Sequence, residues 1–130
     1  MRQAAEQKPV AGAMGSPRDR MLLIVGHDTN LANLAGVLGL HWLIDGRRDD
    51  TPPGSALVFE VWSDGRGLAS SVRVFFASQT LDQMRNAAPL TLAAPPERVP
   101  LFVPGCSTAD QSCSWSGFAE TVRSALKQSP

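Results

Sequence analysis

The sequence predicts an α/β domain with a mixed sheet flanked by helices, and three observations carry that prediction. A short, wholly apolar run at residues 21–25 leads through a tight polar turn into a helix-patterned stretch, which is half of a βαβ unit. Two apolar segments, residues 56–62 and 71–76, face each other across a Gly-rich turn as a hairpin would. A last stretch carries Phe118, Val122 and Leu126 at i, i+4 and i+8, one stripe of a helix. The scale agrees. With 130 residues, 43% hydrophobic and 18% charged, the chain is long enough for one compact domain and too apolar to be disordered.

Taken in order, residues 1–9 read as the last turns of a polar helix closed by Pro9. Residues 10–20 follow as a Gly/Pro linker, so residues 1–20 stand apart from a domain spanning 21–130. Met21-Leu22-Leu23-Ile24-Val25, ended by Gly26, has the pattern of a strand buried on both faces. Asp28, Thr29 and Asn30 are good helix-capping residues. Leu31, Leu34, Ala35 and Leu38 then fall on one helical face, and Gly39 can end the helix. Residues 45–54 read as a polar, solvated loop. Residues 56–62 form a strand, residues 63–67 a turn, and residues 71–76 return with Val72, Val74 and Phe76 on one face. Ser78 caps a short helix over 79–86, Pro-rich coil runs to Pro96, and residues 99–103 form a further strand. Ser114 opens the last helix.

Charge and hydropathy remove whole classes of function. Twelve Lys and Arg balance twelve Asp and Glu, and no basic stripe or basic apolar helix is present. Nucleic-acid and membrane-surface partners are therefore not indicated. The longest apolar run, five residues, is too short to cross a bilayer. Asp45, Asp49 and Asp50 are interleaved with Arg47 and Arg48, which argues for a solvated loop rather than a cation site. Trp42, Trp62 and Trp115 are scattered and read as core or edge packing. Cys106 and Cys113 lie in a Gly/Ser/Thr-rich stretch with no histidine nearby. A structural zinc wants four ligands. That context favours a local disulfide over two reduced structural thiols, and both over a metal. A disulfide implies an oxidising compartment. No export signal is visible in residues 1–20, so an exported protein would have its true beginning elsewhere.

The turn that carries chemistry is Gly26-His27-Asp28-Thr29-Asn30. Ligands of open α/β sheets bind beyond the carboxyl ends of strands, and the first amides of the following helix favour an anion there. A charged His27 can donate two hydrogen bonds to phosphate oxygens. A carboxyl at Asp28, beside the same anion, is held toward its protonated form, as a general acid requires. On these residues alone a plainer reading is favoured, because a single His-Asp dipeptide is a weak signal: Asp28 as helix cap and His27 as a satisfied turn residue.

Residues 26–34 (Gly-His-Asp-Thr-Asn-Leu-Ala-Asn-Leu), with Thr51-Pro52-Pro53-Gly54 and residues 57–62 after them, resemble the histidine acid phosphatase family. The similarity is to its branch of bacterial periplasmic phytases and acid phosphatases. Residues 79–85 and the late cysteine pair extend the match, which runs from about Met21 to Phe118. The resemblance implies the C-terminal portion of the family's α/β sandwich. It implies His27 as a phosphate contact, Asp28 as the proton donor to the leaving oxygen, and Thr29 as a further phosphate contact through its backbone or hydroxyl. It also implies a Cys106–Cys113 disulfide, a periplasmic or secreted complete protein, a phosphomonoester such as phytate as substrate, and no metal or other cofactor.

One departure qualifies the resemblance. The family's phosphohistidine forms on a histidine in an Arg-His-Gly-x-Arg-x-Pro motif, and this sequence has only two histidines. His41 sits between Leu40 and Trp42, without the arginine or the glycine, and reads as a core or surface residue. A nucleophile and a separate acid split one displacement into two, and here the acid is present without the nucleophile. The reading is a piece of a histidine acid phosphatase, inactive by itself. The alternative is a non-catalytic phosphate-binding or interaction module left from a degenerate phosphatase. A third reading is an incomplete gene product with no function of its own, whose central strand without neighbours leaves sheet edges open to association.

Overall fold

The computed structural model describes residues 1–65 and 68–128. In chain order the elements are α1 (Arg2–Ala5), α2 (Asp28–Leu38), β1 (Leu43–Ile44), β2 (Arg47–Arg48), β3 (Ala56–Ser63) and β4 (Ala69–Ser78). They are followed by α3 (Leu81–Arg85), β5 (Glu97–Leu101), β6 (Ser112–Ser114) and α4 (Trp115–Gln128). The fold is α/β, as the sequence predicts. Every strand pairing among the described residues is antiparallel.

The β3–β4 hairpin is the spine. Its register runs from Ala56 opposite Ala77 to Ser63 opposite Ala69, with an irregularity between Trp62 and Ser63. Of the turn residues named above, Arg66 and Gly67 lie outside the described residues. The far edge of β4 is shared. Val74 to Ser78 pair with β5, and Ser71 to Arg73 pair with β6. Val72, Val74 and Phe76 point to one face and are fully buried, as strand alternation requires. They meet Ala35 and Leu38 of α2, Phe118 of α4, and Leu40, Trp42, Ile44, Leu101 and Val103. The indole of Trp42 stacks on Phe76 with centroids 4.2 Å apart and planes 12° apart.

Several local expectations need correction. The run at 21–25 is not a strand here: it has no regular structure, no sheet partner among the described residues, and all five side chains are exposed. A strand buried on both faces needs a neighbour at each edge and a layer over each face, and the described residues provide none. The helix before Pro9 is a single turn, α1. The polar loop at 45–54 begins with the turn and second strand of a small hairpin, β1–β2, turned by Asp45 and Gly46, both at positive φ, the geometry of a two-residue hairpin loop. Arg47 is largely buried rather than solvated, donating to the Gln79 carbonyl (2.9 Å) and to Asp50 (3.1 Å). β6 is missing from the sequence reading because three residues with one apolar side chain are too short an alternation to read.

Helix boundaries follow capping chemistry. α2 ends where Gly39 turns left-handed (φ 63°), and Leu40 N–H reaches back to the Ala35 carbonyl at 2.9 Å, a Schellman closure. α3 is capped by Thr80, not Ser78. The Thr80 hydroxyl accepts from Gln83 N–H (3.1 Å) while the Gln83 side chain accepts from Thr80 N–H (3.0 Å), a reciprocal capping box. Ser114 caps α4 as predicted, its hydroxyl accepting from Gly117 N–H at 3.1 Å. The stripe of α4 drifts, however. Phe118 is buried and Val122 half-buried, but Ala125 takes the next core position while Leu126 faces outward, because 3.6 residues per turn rotate an i+8 position off the seam.

Candidate functional site

Gly26-His27-Asp28-Thr29 sits at the start of α2, at the molecular surface. The N-cap is His27, in extended backbone geometry (φ −111°, ψ 169°), so Asp28 is the first helical residue rather than the cap. The Asn30 side-chain oxygen accepts the His27 N–H at 2.8 Å, and the His27 carbonyl accepts the Asn30 N–H at 3.0 Å. This reciprocal pair fixes the turn. Gly26 leaves room for this clamp: a Cβ there would lie 2.9 Å from the Asn30 side-chain amide oxygen, which would have to shift. The Asp28 carboxylate accepts the Thr29 N–H at 2.7 Å, placing a carboxyl group at the positive end of the helix, where negative charge is favoured. His27, Asp28 and Thr29 are all exposed.

A second turn faces the first. Pro52-Pro53-Gly54-Ser55 closes with Ser55 N–H donating to the Pro52 carbonyl at 3.1 Å, and Gly54 has φ +77°. Proline in the second position and a positive φ in the third make this a type II turn, which wants glycine there. It delivers the chain into β3. Between the two turns lies an open cleft of about 330 Å³, lined by Gly26, His27, Asp28 and Leu31 on one side and residues 51–55 on the other. Structure thus brings together two motifs far apart in sequence. His27 and Asp28 line the cleft, and Thr29 is adjacent at the helix start.

In the sequence, residues 51–54 read as part of a polar loop and of the family resemblance, not as a wall of the site. The available signal was the Pro-Pro-Gly turn immediately before a strand. Asn30, named only as one capping candidate, is the residue that clamps the turn. His41 lies elsewhere, exposed, with Nδ1 2.9 Å from Asp49. Asp49 also accepts the Trp42 N–H at 2.8 Å. Burial works against ionisation of Asp49, but the Trp42 N–H and His41 outweigh it and hold its carboxyl below the ordinary value. That group fastens the start of β1. Among the described residues no cluster of three or more His, Cys, Asp or Glu side chains could hold a metal ion.

Cys106 and Cys113 form a disulfide. It ties the loop after β5 to β6, and Cys113 itself is buried in the core opposite Val72.

Comparison with known proteins agrees with this architecture. The histidine phosphatase superfamily (branch 2) matches residues 1–77, which include both turns of the cleft. The phytase AppA of Escherichia coli (strain K12) is 46% identical over 107 residues, 81% of this chain and 25% of that protein. A glucose-1-phosphatase of Providencia rettgeri is 32% identical over 111 residues, 84% of this chain and 27% of that protein. The Hafnia alvei phytase, solved in complex with myo-inositol hexakis sulphate, superposes with a TM-score of 0.76 at 44% identity. That alignment covers 91% of this chain and 29% of the phytase. The chain spans about a quarter of the length of the curated relatives it matches. With a family match over more than half its residues and a shared fold, this chain belongs to the histidine phosphatase superfamily, branch 2.

Proposed function

We propose that this chain forms the proton-donor side of a phosphomonoester-hydrolysing site and that the nucleophilic side lies outside its 130 residues. The observation that carries the reading is the exposed His27-Asp28 pair at the start of α2, lining an open cleft against residues 51–55. His27 contacts the substrate phosphate, and Thr29 offers its backbone or hydroxyl to the same group. Asp28 gives its proton to the leaving oxygen as the phosphoryl group passes to a histidine, then takes a proton from the water that releases it. That histidine is neither of the two present. His27 is the phosphate contact, and His41 is bonded to Asp49 away from the cleft.

Phosphoryl transfer depends mainly on positioning and on neutralising charge. Without the arginines and histidine of the nucleophile motif, the isolated chain hydrolyses phosphomonoesters at no useful rate. Phytate and related phosphomonoesters are the substrate class proposed for the complete site. The Cys106–Cys113 disulfide supports a periplasmic or secreted location for the complete protein.

The test has two parts. The isolated chain is assayed with 4-nitrophenyl phosphate at acid pH, with no hydrolysis expected. It is then titrated with inorganic phosphate while amide and imidazole NMR signals are followed. Shifts should centre on residues 27–29 and 51–55 and disappear in His27→Ala. Strong phosphatase activity abolished by Asp28→Asn would mean that the nucleophile is present after all, and a cleft silent to phosphate would remove the reading. Phosphate binding that no partner converts to hydrolysis would instead favour a non-catalytic binding module.

A further inference from the structure

We infer that Arg47 is a positioning residue for the cleft: it fixes the wall at 51–55 opposite His27 and Asp28 without itself touching what the cleft holds. This role rests on the phosphate reading of the cleft for one of its two tests. Arg47 lies on β2, outside the residues that line the cleft, and its side chain is only 15% exposed. Its Nη2 donates to the carbonyl of Gln79, 32 residues further along the chain, at 2.9 Å. Nη1 donates to the Asp50 carboxylate at 3.1 Å. The third nitrogen, Nε, is buried with no hydrogen-bond partner among the described residues. Beside the guanidinium the Asp45 carboxylate, 3.8 Å from Nη2, accepts the Leu81 N–H at 2.6 Å. One cation and one carboxylate therefore tie the β1–β2 hairpin to the start of α3.

Both arms of the guanidinium reach a neighbour of the wall. Asp50 stands immediately before Thr51, the first wall residue. Arg47 holds the Asp50 side chain, and the Asp50 carbonyl accepts the indole N–H of Trp42 at 2.9 Å. Trp42 is buried and stacked on Phe76, so the chain enters the wall from a residue anchored to the core. Gln79 borders the other end. A Cβ at Gly54 would lie 4.0 Å from Gln79 Oε1, so the Gln79 side chain stands beside the left-handed residue of the type II turn. Loss of the guanidinium should therefore loosen both ends of the wall, and with them the width of the cleft against His27 and Asp28.

Stability is a poor explanation for such a group. Burying a cation costs desolvation, an unpaired donor adds to that cost, and apolar replacements of buried ion pairs are often neutral or stabilising. Its carboxylate partners keep their hydration without it, because the Asp45 and Asp50 side chains are 30% and 47% exposed. What a guanidinium offers instead is direction. Its planar fork aims N–H groups at fixed angles and so sets Asp50 relative to Gln79, which a flexible ammonium with rotating donors does not.

The test compares Arg47→Met and Arg47→Lys with the parent chain. Thermal unfolding of both should stay cooperative and close to that of the parent. The first readout needs no ligand. Amide nitrogen relaxation order parameters at Thr51, Gly54 and Ser55 are expected to be about 0.85 in the parent and to fall toward about 0.6 in both variants, with those of α2 unchanged. The second is titration with inorganic phosphate, where binding should weaken about threefold to tenfold as the wall loses its placement. The shifts at 51–55 should be lost and those at 27–29 kept. A parent chain silent to phosphate would remove the phosphate reading, while the order parameters would still decide the role of Arg47. If the Arg47 variants do not fold, Asp50→Asn, which removes one arm at a half-exposed side chain, takes their place with the same expectation. Parent-like order at the wall in any of these variants would overturn the proposal. Equal loosening of the wall, α2 and β4 would overturn it too, since Arg47 would then serve the fold in general and not the cleft.

Discussion

The Asn30 side chain accepts the backbone N–H of His27 at 2.8 Å, and this bond helps close the turn that carries the His27-Asp28 pair. It satisfies an amide that would otherwise be orphaned at the helix entrance. Glycine at residue 26 suits the bond, since a Cβ there would push the Asn30 side-chain amide away. Capping of α2 and orientation of the candidate acid are therefore a single structural property.

Removing either side of that arrangement should have the same consequence. Asn30→Ala and Gly26→Ala are each expected to cost about 1 kcal/mol of stability, the usual worth of a cap. Both should weaken the response of His27 to phosphate. The double variant should cost clearly less than the sum, because each change disables the same bond. Thermal unfolding and NMR titration of the three variants check this, and strict additivity would show that Gly26 and Asn30 act separately.

The tryptophans should divide sharply. Trp42 is buried and stacked on Phe76, with its indole N–H donating to the Asp50 carbonyl at 2.9 Å. Trp42→Ala is expected to cost about 3–5 kcal/mol, enough to remove cooperative unfolding from a small domain. Trp62 is exposed beside the Arg73 guanidinium, 5.8 Å from its ring centre. Trp62→Ala should cost at most about 1 kcal/mol. Denaturant unfolding followed by circular dichroism separates the two.

The Cys106–Cys113 bridge closes a loop with a sequence separation of seven. In the chain-entropy account a loop this short is worth about 2.5 kcal/mol. Cys106→Ser with Cys113→Ser, or reduction of the parent chain, should lower stability by about that amount and loosen β6 first. Cys113 is a core residue, so the serine pair should lose more than reduction alone. Urea unfolding with and without reductant gives both numbers.

Acid should destabilise the chain through identifiable carboxylates. The Thr108 and Ser112 hydroxyls donate to Asp110 and hold its carboxyl well below the ordinary 3.8, at about 2. A depressed folded-state value adds stability above the unfolded value, and that stability is lost as pH falls through the folded one. The loss should therefore lie between pH 3.8 and about 2. Asp110→Asn is expected to flatten the midpoint-versus-pH curve in that window and to lower the midpoint by a constant amount above it, up to neutrality. Asp49, lowered in the same direction, should contribute over the acid range just below its ordinary value. An unchanged curve in the Asp110 variant would dismiss this carboxylate as the cause.

Much of the local structure was legible because it depends on neighbours in sequence. Gly39 ends α2 and Ser114 opens α4 through residues within one helical turn of them. Val72, Val74 and Phe76 line one face because strand side chains alternate. The errors also have local causes. Ser78 and Thr80 are both plausible caps, and Thr80 prevails because Gln83 stands three residues on to complete the box. The hairpin at Asp45-Gly46 was hidden by flanking strands of only two residues each.

The sequence by itself determined the order of most elements, the His27-Asp28 turn before a helix, the cysteine pair, and the absence of an Arg-His-Gly-x-Arg-x-Pro motif from these 130 residues. Only the tertiary structure decided that the type II turn at 52–55 forms the opposite wall of the cleft, that β6 shares an edge of β4 with β5, and that residues 21–25 stand uncovered. The reason is physical. A run of apolar residues encodes a free-energy gain on burial, whereas the surface that would bury it belongs to other parts of a fold and must be present for that gain to be realised.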